Sequence, residues 1–460
     1  MTIAPLNPVD LSELREQLAA APDAADLRPL GLGALLIGAG VLDRLPEVIG
    51  ELRLGEVALV ADARPMAGRA GELKSAIAEL LEVRRVTLGD DTGTVYADAQ
   101  TLERATAACH GAGLILSVGS GTIVDIGKVL SARLGIPHVA VQTAASVNGF
   151  ADDQSVLLVD GVKRTTQTRW PERLLIDSDV IVRAPVELNR AGLGDLLATY
   201  TAPADWRLAQ IVGQDPSYSP FAVSLARGHV DRVLDQADGV HRSDPEAIET
   251  LTAALVLSGI AMGIAGRTAP CSGMEHTVSH LLEMHGAHVL HGAAVGALSV
   301  LSALLWERVR GVARAGGLRA LRFPSAAEME PRVRVAFDDI DPSGRAGEEC
   351  WRAYARKLER WHAARAELET LWRRWPAFDL ELDALLASPE RLVAALRAAR
   401  APVRLTQLGI RDATARWALA HGHLMRDRFT VADLAFFMGV WEPSDVDALL
   451  VAAARLGAGL

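Results

Sequence analysis

Disulfide chemistry is missing from this chain. Its 460 residues include three cysteines, Cys109, Cys271 and Cys350, an odd number placed far apart. That argues against a disulfide framework and fits a reducing cytoplasm. A basic run is missing too. The formal net charge is −10 and is spread along the sequence, which gives no support to a nucleic-acid surface but leaves room for a local basic pocket. The N-terminus shows neither the basic nor the apolar part of a secretory signal. The longest apolar stretches, residues 251–264 and 293–306, are too short and too rich in small side chains to cross a bilayer comfortably. They are expected as helices buried on all sides. The chain therefore reads as soluble and cytoplasmic, with neither a membrane nor a nucleic acid as partner. Aromatic residues are few, at 5%, while half of the residues are apolar and Ala, Leu and Arg are abundant. This suits a helix-rich protein with a large aliphatic core. The length allows about two or three domains.

The first part of the chain alternates short apolar strands with helical patterns. Strands are expected at residues 34–37, 57–61, 114–118 and 139–142, and amphipathic helices at 71–81 and 97–108. That alternation predicts a parallel sheet with crossover helices. Residues 155–159 and 162–166 flank Asp160-Gly161, which predicts a hairpin. From residue 188 onward helical periodicity dominates, as in 348–374 and 390–399. A boundary is expected at about residue 187, α/β before it and all-α after it. Residues 311–344 are the least regular stretch, with Pro324, Pro331 and Pro342 as breakers.

Histidine is concentrated. Five of the twelve fall at His276, His280, His285, His288 and His291. His276 and His280 are four apart, which on a helix places both imidazoles on one face. Neutral imidazole is a common ligand for zinc, nickel and iron. An i, i+4 pair with a third donor from elsewhere would make a three-ligand site with an open position. Packed or exposed helix histidines are the plainer reading. The His-Glu-x-x-His order of zinc hydrolases is absent, because Glu275 precedes His276. Cys271, close by, reads as a small core residue. Asp195 stands in an otherwise apolar helix beginning, where an unpaired carboxylate is costly. It either caps a neighbouring helix or ligates a cation, and one Asp with two His suits Zn²⁺, Ni²⁺ or Fe²⁺ better than Ca²⁺.

The segment Val118-Gly119-Ser120-Gly121-Thr122-Ile123-Val124-Asp125 reads as a strand end, a glycine turn and a helix start. Such a turn lets backbone N–H groups approach a pyrophosphate, and the helix N-terminus adds a partial positive charge. It is not G-x-G-x-x-G, since Val124 occupies the third glycine position. An ordinary tight turn is the plainer reading. Asp62, directly after a strand, is placed to accept from an adenosine ribose, which favours NAD over NADP.

Taken together, Gly-Ser-Gly-Thr-x-x-Asp, Thr143-Ala144-Ala145-Ser146, Asp160-Gly161-Val162-Lys163, Ala191-Gly192-Leu193-Gly194-Asp195, Ser272-Gly273-Met274-Glu275-His276 and His291-Gly292 resemble, in order and spacing, the glycerol-1-phosphate dehydrogenase family. That family stands with the iron-containing alcohol dehydrogenases and the dehydroquinate synthases. The resemblance runs from about Leu35 to Met425-Arg426-Asp427-Arg428-Phe429-Thr430. It implies an α/β dinucleotide-binding domain over 1–187 and an all-α metal and substrate domain over 188–460. It implies one divalent metal (Zn, Ni or Fe) held by Asp195, His276 and His291. It also implies NAD(H) or NADP(H) held by Asp62, Gly119, Ser120, Gly121, Thr122, Asp125, Thr143, Ser146 and the position of Asp152. His280 moves from the metal to the substrate, beside Asn148, Lys163 and Asp195, with His280 and Asp195 as the catalytic pair. His285 and His288 match no ligand position. The expected substrate is a small phosphorylated polyol or ketose, and the expected assembly a homodimer.

Two positions depart from the family. Asn148 stands where an Asp is usual near the substrate hydroxyls, keeping hydrogen-bonding reach but losing the charge. Asp152, followed by Asp153, stands where a Ser is usual at the cofactor. Besides a dehydrogenase, the alternatives are a dehydroquinate-synthase-like cyclase and a ligand-binding member of the fold without turnover.

Overall fold

In a computed structural model the described residues are 10–52, 55–63, 66–78, 81–89, 95–159 and 162–460. They divide into two compact units. The first is formed by the chain up to Val159, Lys163–Leu193 and Phe221–Arg267, and the second mainly by Gly194–Pro220 and Thr268–Leu460. The first crossing lies a few residues beyond the boundary expected at 187, and the chain then returns to the first unit for Phe221–Arg267. The sequence carries no signal for that return, because helices of this Ala/Leu texture look alike whichever core they enter.

Eight strands are described: β1 (Ala34–Gly38), β2 (Val57–Asp62), β3 (Val83–Leu88), β4 (Leu114–Gly119), β5 (His138–Gln142), β6 (Gln154–Val159), β7 (Val162–Gln167) and β8 (Arg173–Asp177). Six form one sheet in the order β1-β8-β5-β4-β2-β3, and every pairing in it is parallel. Strand alternation sends successive side chains to opposite faces. Val57, Leu59 and Ala61 enter one core with Leu114, Leu116 and Val118. Ala58 and Val60 enter the other with Ile115, Val86 and Leu102. A sheet buried on both faces explains why its inner strands read as continuous apolar runs. β6 and β7 make a separate two-stranded sheet; the Asp160-Gly161 turn expected between them lies outside the described residues.

The strand order reverses between β2 and β4. The chain leaves β2 outward to β3, then returns to β4 and proceeds to β5 on the other side. In open α/β sheets the crevice beyond the carboxyl ends at such a switch is the ligand site. Asp62 ends β2 and Gly119 ends β4, so the topology brings two of the expected dinucleotide residues to that crevice.

β5 opens on His138, fully buried, with Nε2 2.7 Å from Ser117 Oγ of β4. Burial, and secondarily the charge of Lys128, lower its pKa to about 3. The folded pKa is below the ordinary 6.5, so the unfolded chain takes up the proton first as pH falls. The stability that neutral His138 supplies is full above about pH 6.5 and is lost progressively toward pH 3. Relative to a His138→Gln variant, urea stability of the wild type is expected to fall by an extra ~1.4 kcal/mol per pH unit below 6.5. Parallel pH profiles for the two proteins would refute this.

In the two long segments of the second unit, Gly194–Pro220 and Thr268–Leu460, no strand is described; a single bridge joins Arg404 to Gly459. Its central element is the helix His291–Arg314, packed on the helices Met274–Met284, Pro389–Ala398, Val431–Phe437 and Pro443–Arg455. This helix and Pro245–Ala265 of the first unit contain the two apolar stretches noted in the sequence. Both helices are longer than those stretches, at 24 and 21 residues, and are long and apolar enough to cross a membrane. Their apolar windows are 83% and 94% buried within the protein, so that surface is consumed by packing. Residues 311–344 are more regular than expected. The helix Ala326–Ala336 runs through Pro331, which sits on its exposed side.

Candidate metal centre and dinucleotide turn

The helix Val186–Leu196 delivers Asp195 in its last turn, Met274–Met284 carries His276 near its start, and His291–Arg314 begins on His291. One ligand atom from each of Asp195, His276 and His291 lies within 4.8 Å of the others. His276 Nε2 is 3.3 Å from Asp195 Oδ1. Asp195 and His276 are buried and His291 is partly so. Close helix approach makes this possible. A Cβ on Gly194 would stand 2.3 Å from the Gly292 carbonyl oxygen and 3.4 Å from Gly296 Cα, so the residue before Asp195 has no room for a side chain against the turn that carries His291. A Gly194→Ala variant is expected to lose about 1–3 kcal/mol of stability through this overpacking. It should also bind Zn²⁺ more weakly, because Asp195 is pushed from His291. Unchanged urea midpoint and Zn²⁺ affinity would contradict both points.

The electrostatics suit a cation. Burial pulls the His276 pKa down, but the hydrogen bonds and charges of Asp195 and Glu275 outweigh it and raise the value to about 9. A pocket that holds a proton on an imidazole against burial attracts positive charge, and two imidazoles with one carboxylate form a borderline-soft donor set. Each of these histidines also leans on a carboxylate: His276 Nδ1 lies 3.1 Å from Glu275 Oε1 and His291 Nδ1 2.8 Å from Glu283 Oε1. Glu275 is fully buried and held in turn by Thr201 Oγ1 at 2.9 Å and the Gly273 N–H at 2.5 Å. Asp205 accepts from the N–H groups of Met274 at 2.8 Å and Val431 at 2.9 Å, tying the start of the His276 helix to the helix Val431–Phe437.

His280 is near but differently held. Its ring centroid is 6.4 Å from that of His276 and 5.3 Å from that of His291, while its Nδ1 accepts from the Arg426 guanidinium. Arg428, two residues on, donates to Ser272 Oγ at 2.7 Å and Thr268 Oγ1 at 2.6 Å, pinning the segment that leads into the His276 helix. His285 lies against Trp417, at 5.2 Å between rings, and His288 is exposed; neither joins the cluster.

In the first unit, β4 ends at Gly119 and the helix Gly121–Leu134 starts after Ser120. A Cβ on Gly119 would stand 2.6 Å from Ile123 Cβ, so the turn folds tightly onto its own helix. The first N–H groups of that helix have no intrahelical acceptor and form a polar end for an anion. Thr143 N–H donates to the Gly119 carbonyl at 3.1 Å, and Asn189 Oδ1 receives the Ala145 N–H at 3.2 Å, which fixes the Thr143–Ser146 segment beside the turn. Asp62 Oδ1 receives the Met66 N–H at 2.8 Å. Asn148 is buried, and its backbone carbonyl oxygen would stand 2.5 Å from a Cβ on Gly259.

Asp125 and Asp152 converge on a residue that sequence reasoning missed. Lys128 is fully buried. Its Nζ lies 2.7 Å from Asp152 Oδ1 and 3.0 Å from Asp125 Oδ1, and it donates to the carbonyls of Gly149 at 2.6 Å and of Gln154. Burial works against the charged lysine, but Asp152 and Asp125 outweigh it and raise its pKa. The acid at 152 is thus the counter-ion of a buried lysine. Asp125 Oδ2 also receives the Val156 N–H at 3.2 Å, fastening β6 to the helix, and the Lys163 charge acts on Asp125 from β7. The signal available in the sequence was a lysine three residues after an aspartate in an apolar helix.

Residues 36–185 match the iron-containing alcohol dehydrogenase family model. Solved structures of the same fold include a probable glycerol dehydrogenase from Sinorhizobium meliloti, with a TM-score of 0.60, 18% identity, and coverage of 93% of this chain and 98% of that one. Another is the iron-containing alcohol dehydrogenase of Thermococcus thioreducens, with a TM-score of 0.57, 16% identity, and coverage of 93% and 99%. The fold is that of the iron-containing alcohol dehydrogenases. Glycerol-1-phosphate dehydrogenase [NAD(P)+] of Bacillus licheniformis is 28% identical over 430 residues, 91% of this chain and 92% of that protein. The enzymes of the same name from Halalkalibacterium halodurans, 34% identical over 59% of this chain and 70% of that protein, and Methanosarcina acetivorans, 30% identical over 64% and 82%, are also similar. The chain belongs to the glycerol-1-phosphate dehydrogenase family, as a divergent member.

Proposed function

We propose that the chain is a metal-dependent, NAD(P)-linked dehydrogenase of a small polyol phosphate, interconverting dihydroxyacetone phosphate and sn-glycerol 1-phosphate. The observation that carries this reading is the convergence of Asp195, His276 and His291 to within 4.8 Å, in a chain of this family. Asp195, His276 and His291 would hold the divalent ion, and the Gly119–Thr122 turn with Asp62, Thr143 and Ser146 would hold the dinucleotide. When bound, the ion supplies Lewis acidity toward the reacting oxygen and the nicotinamide supplies or accepts the hydride.

The chain's own residues do the rest. Burial of Asp195 and His276 keeps bulk water from the donor atoms and strengthens their charge interactions. His280, oriented by Arg426, is placed to hydrogen-bond a substrate hydroxyl. We place Asn148 and Lys163 at the substrate, with Lys163 as a cation for an anionic group. Asp125 and Asp152 act behind the dinucleotide turn, through Lys128. We further place the protein in the cytoplasm as a homodimer.

The test is NADH or NADPH oxidation by protein reconstituted separately with Zn²⁺, Ni²⁺ or Fe²⁺, offered dihydroxyacetone phosphate and related ketoses. Oxidation with dihydroxyacetone phosphate, and faster than with unphosphorylated dihydroxyacetone, is expected. Consumption of substrate with no net change in the nicotinamide would instead identify a cyclase. No turnover and no dinucleotide binding with any metal would overturn the enzyme reading.

A further inference from the structure

We propose that the partner of each imidazole Nδ1 sorts the three clustered histidines into two metal ligands and one hydrogen-bond donor, with Glu275, Glu283 and Arg426 as the positioning residues. This rests on the metal reading above and goes beyond it. Distance alone does not make the distinction: the rings of His276 and His291 lie 5.1 Å apart, and those of His280 and His291 5.3 Å apart. Nor does helix spacing, since His276 and His280 share one helix.

The Nδ1 partners do separate them. A carboxylate only accepts hydrogen bonds, so a neutral imidazole facing one carries its proton on Nδ1 and turns the Nε2 lone pair the other way. That is the arrangement at His276, against Glu275 at 3.1 Å, once a cation takes the place of the second proton that Asp195 draws onto its Nε2, and at His291, against Glu283 at 2.8 Å. The Nε2 of His276 is the atom that faces Asp195. A guanidinium only donates. His280 Nδ1, facing Arg426, must therefore accept, and the proton of the neutral ring sits on Nε2. An N–H has no lone pair to give a cation, so His280 offers the site a donor instead of a ligand. The two acids differ in setting: Glu275 is locked by Thr201 and Gly273, whereas Glu283 reaches His291 from the far end of the same helix, with 15% of its side chain exposed.

Two measurements on the full chain test this. In the first, Co²⁺ affinity is measured by competition with a chromophoric chelator for the wild type and for Glu275→Gln, Glu283→Gln, Arg426→Met and His276→Ala. Each Glu→Gln change is expected to raise the Co²⁺ Kd by about 10–100-fold and to shift the visible Co²⁺ spectrum, while Arg426→Met leaves both unchanged. In the second, ¹⁵N-histidine NMR of the Zn²⁺-loaded wild type is expected to show two rings protonated at Nδ1 with metal on Nε2. The ring protonated at Nε2 with a free Nδ1 should be the one perturbed in Arg426→Met. This measurement needs no glutamate variant to fold. Wild-type Co²⁺ affinity in both glutamate variants, equal weakening in Arg426→Met, or a His280 proton on Nδ1 would overturn the sorting. If wild type and His276→Ala bind Co²⁺ alike, the metal reading itself fails. If only His276→Ala loses the ion, the metal reading stands and the sorting falls.

Discussion

A His276→Ala variant, purified and reconstituted with Zn²⁺ beside the wild type, is expected to lose at least about 10³-fold in kcat/KM, because Lewis-acid stabilisation is worth several kcal/mol and each 1.4 kcal/mol is tenfold. The change removes one of three donors that the fold gathers within 4.8 Å. It also leaves Asp195 and Glu275, 1% and 0% exposed, without the imidazole that faces both. The two remaining donors are too few for a three-ligand catalytic site. Metal analysis should show loss of bound zinc, whereas NADH binding followed by fluorescence should persist, since Gly119–Thr122 and Asp62 are untouched. Retained zinc with near-wild-type turnover would remove His276 from the centre.

Lys128→Met is expected to cost about 3–5 kcal/mol of stability, the usual penalty for breaking a buried ion pair from one side. The lysine is fully buried and Asp152 is 2% exposed, so deleting the cation strands a carboxylate in the interior, and the carbonyls of Gly149 and Gln154 lose a donor as well. A Lys128→Met/Asp152→Ala double variant should recover part of the loss, because the stranded charge is gone. Thermal and urea midpoints of the three proteins decide the point. A loss under about 1 kcal/mol, within the range of exposed pairs, would mean that the pair contributes no more than a surface one. No gain in the double variant would mean that the lysine acts through the two carbonyls and Asp125 alone.

Local pattern carried much of this protein. The strands β1, β2, β4 and β5 were legible because each is an apolar run that ends in a polar or turn residue, and the Gly119–Thr122 turn was legible because glycine at a strand end has few other uses. β3 and β8 were not. β3 is an edge strand whose Val-Arg-Arg-Val-Thr-Leu mixes charge into the pattern, and β8 has three apolar residues in a row, fewer than a strand signal needs. Pro331 hid a helix, because its missing N–H and its clash with the preceding turn are a local cost, while packing of Ala326–Ala336 on the helix Arg345–Ala363 keeps the element formed.

The crowding of histidines, the Gly-Asp at 194–195 and the order of motifs are properties of the sequence, and they were enough to indicate a metal, a dinucleotide and a family. The strand alternation likewise follows from side-chain period, which is local. What each polar group faces is not local. Arg426 meets His280 from 146 residues away, Asp195 meets His276 from another helix, and Lys128 meets Asp152 from 24 residues away. Periodicity places a side chain on a face but is silent about its partner there. For imidazoles and buried charges the partner decides the chemistry: in the sequence the motif resemblance alone sets His280 apart from His276 and His291, and only the tertiary structure supplies the partners, Glu275, Glu283 and Arg426, that give the proposed sorting a physical reason.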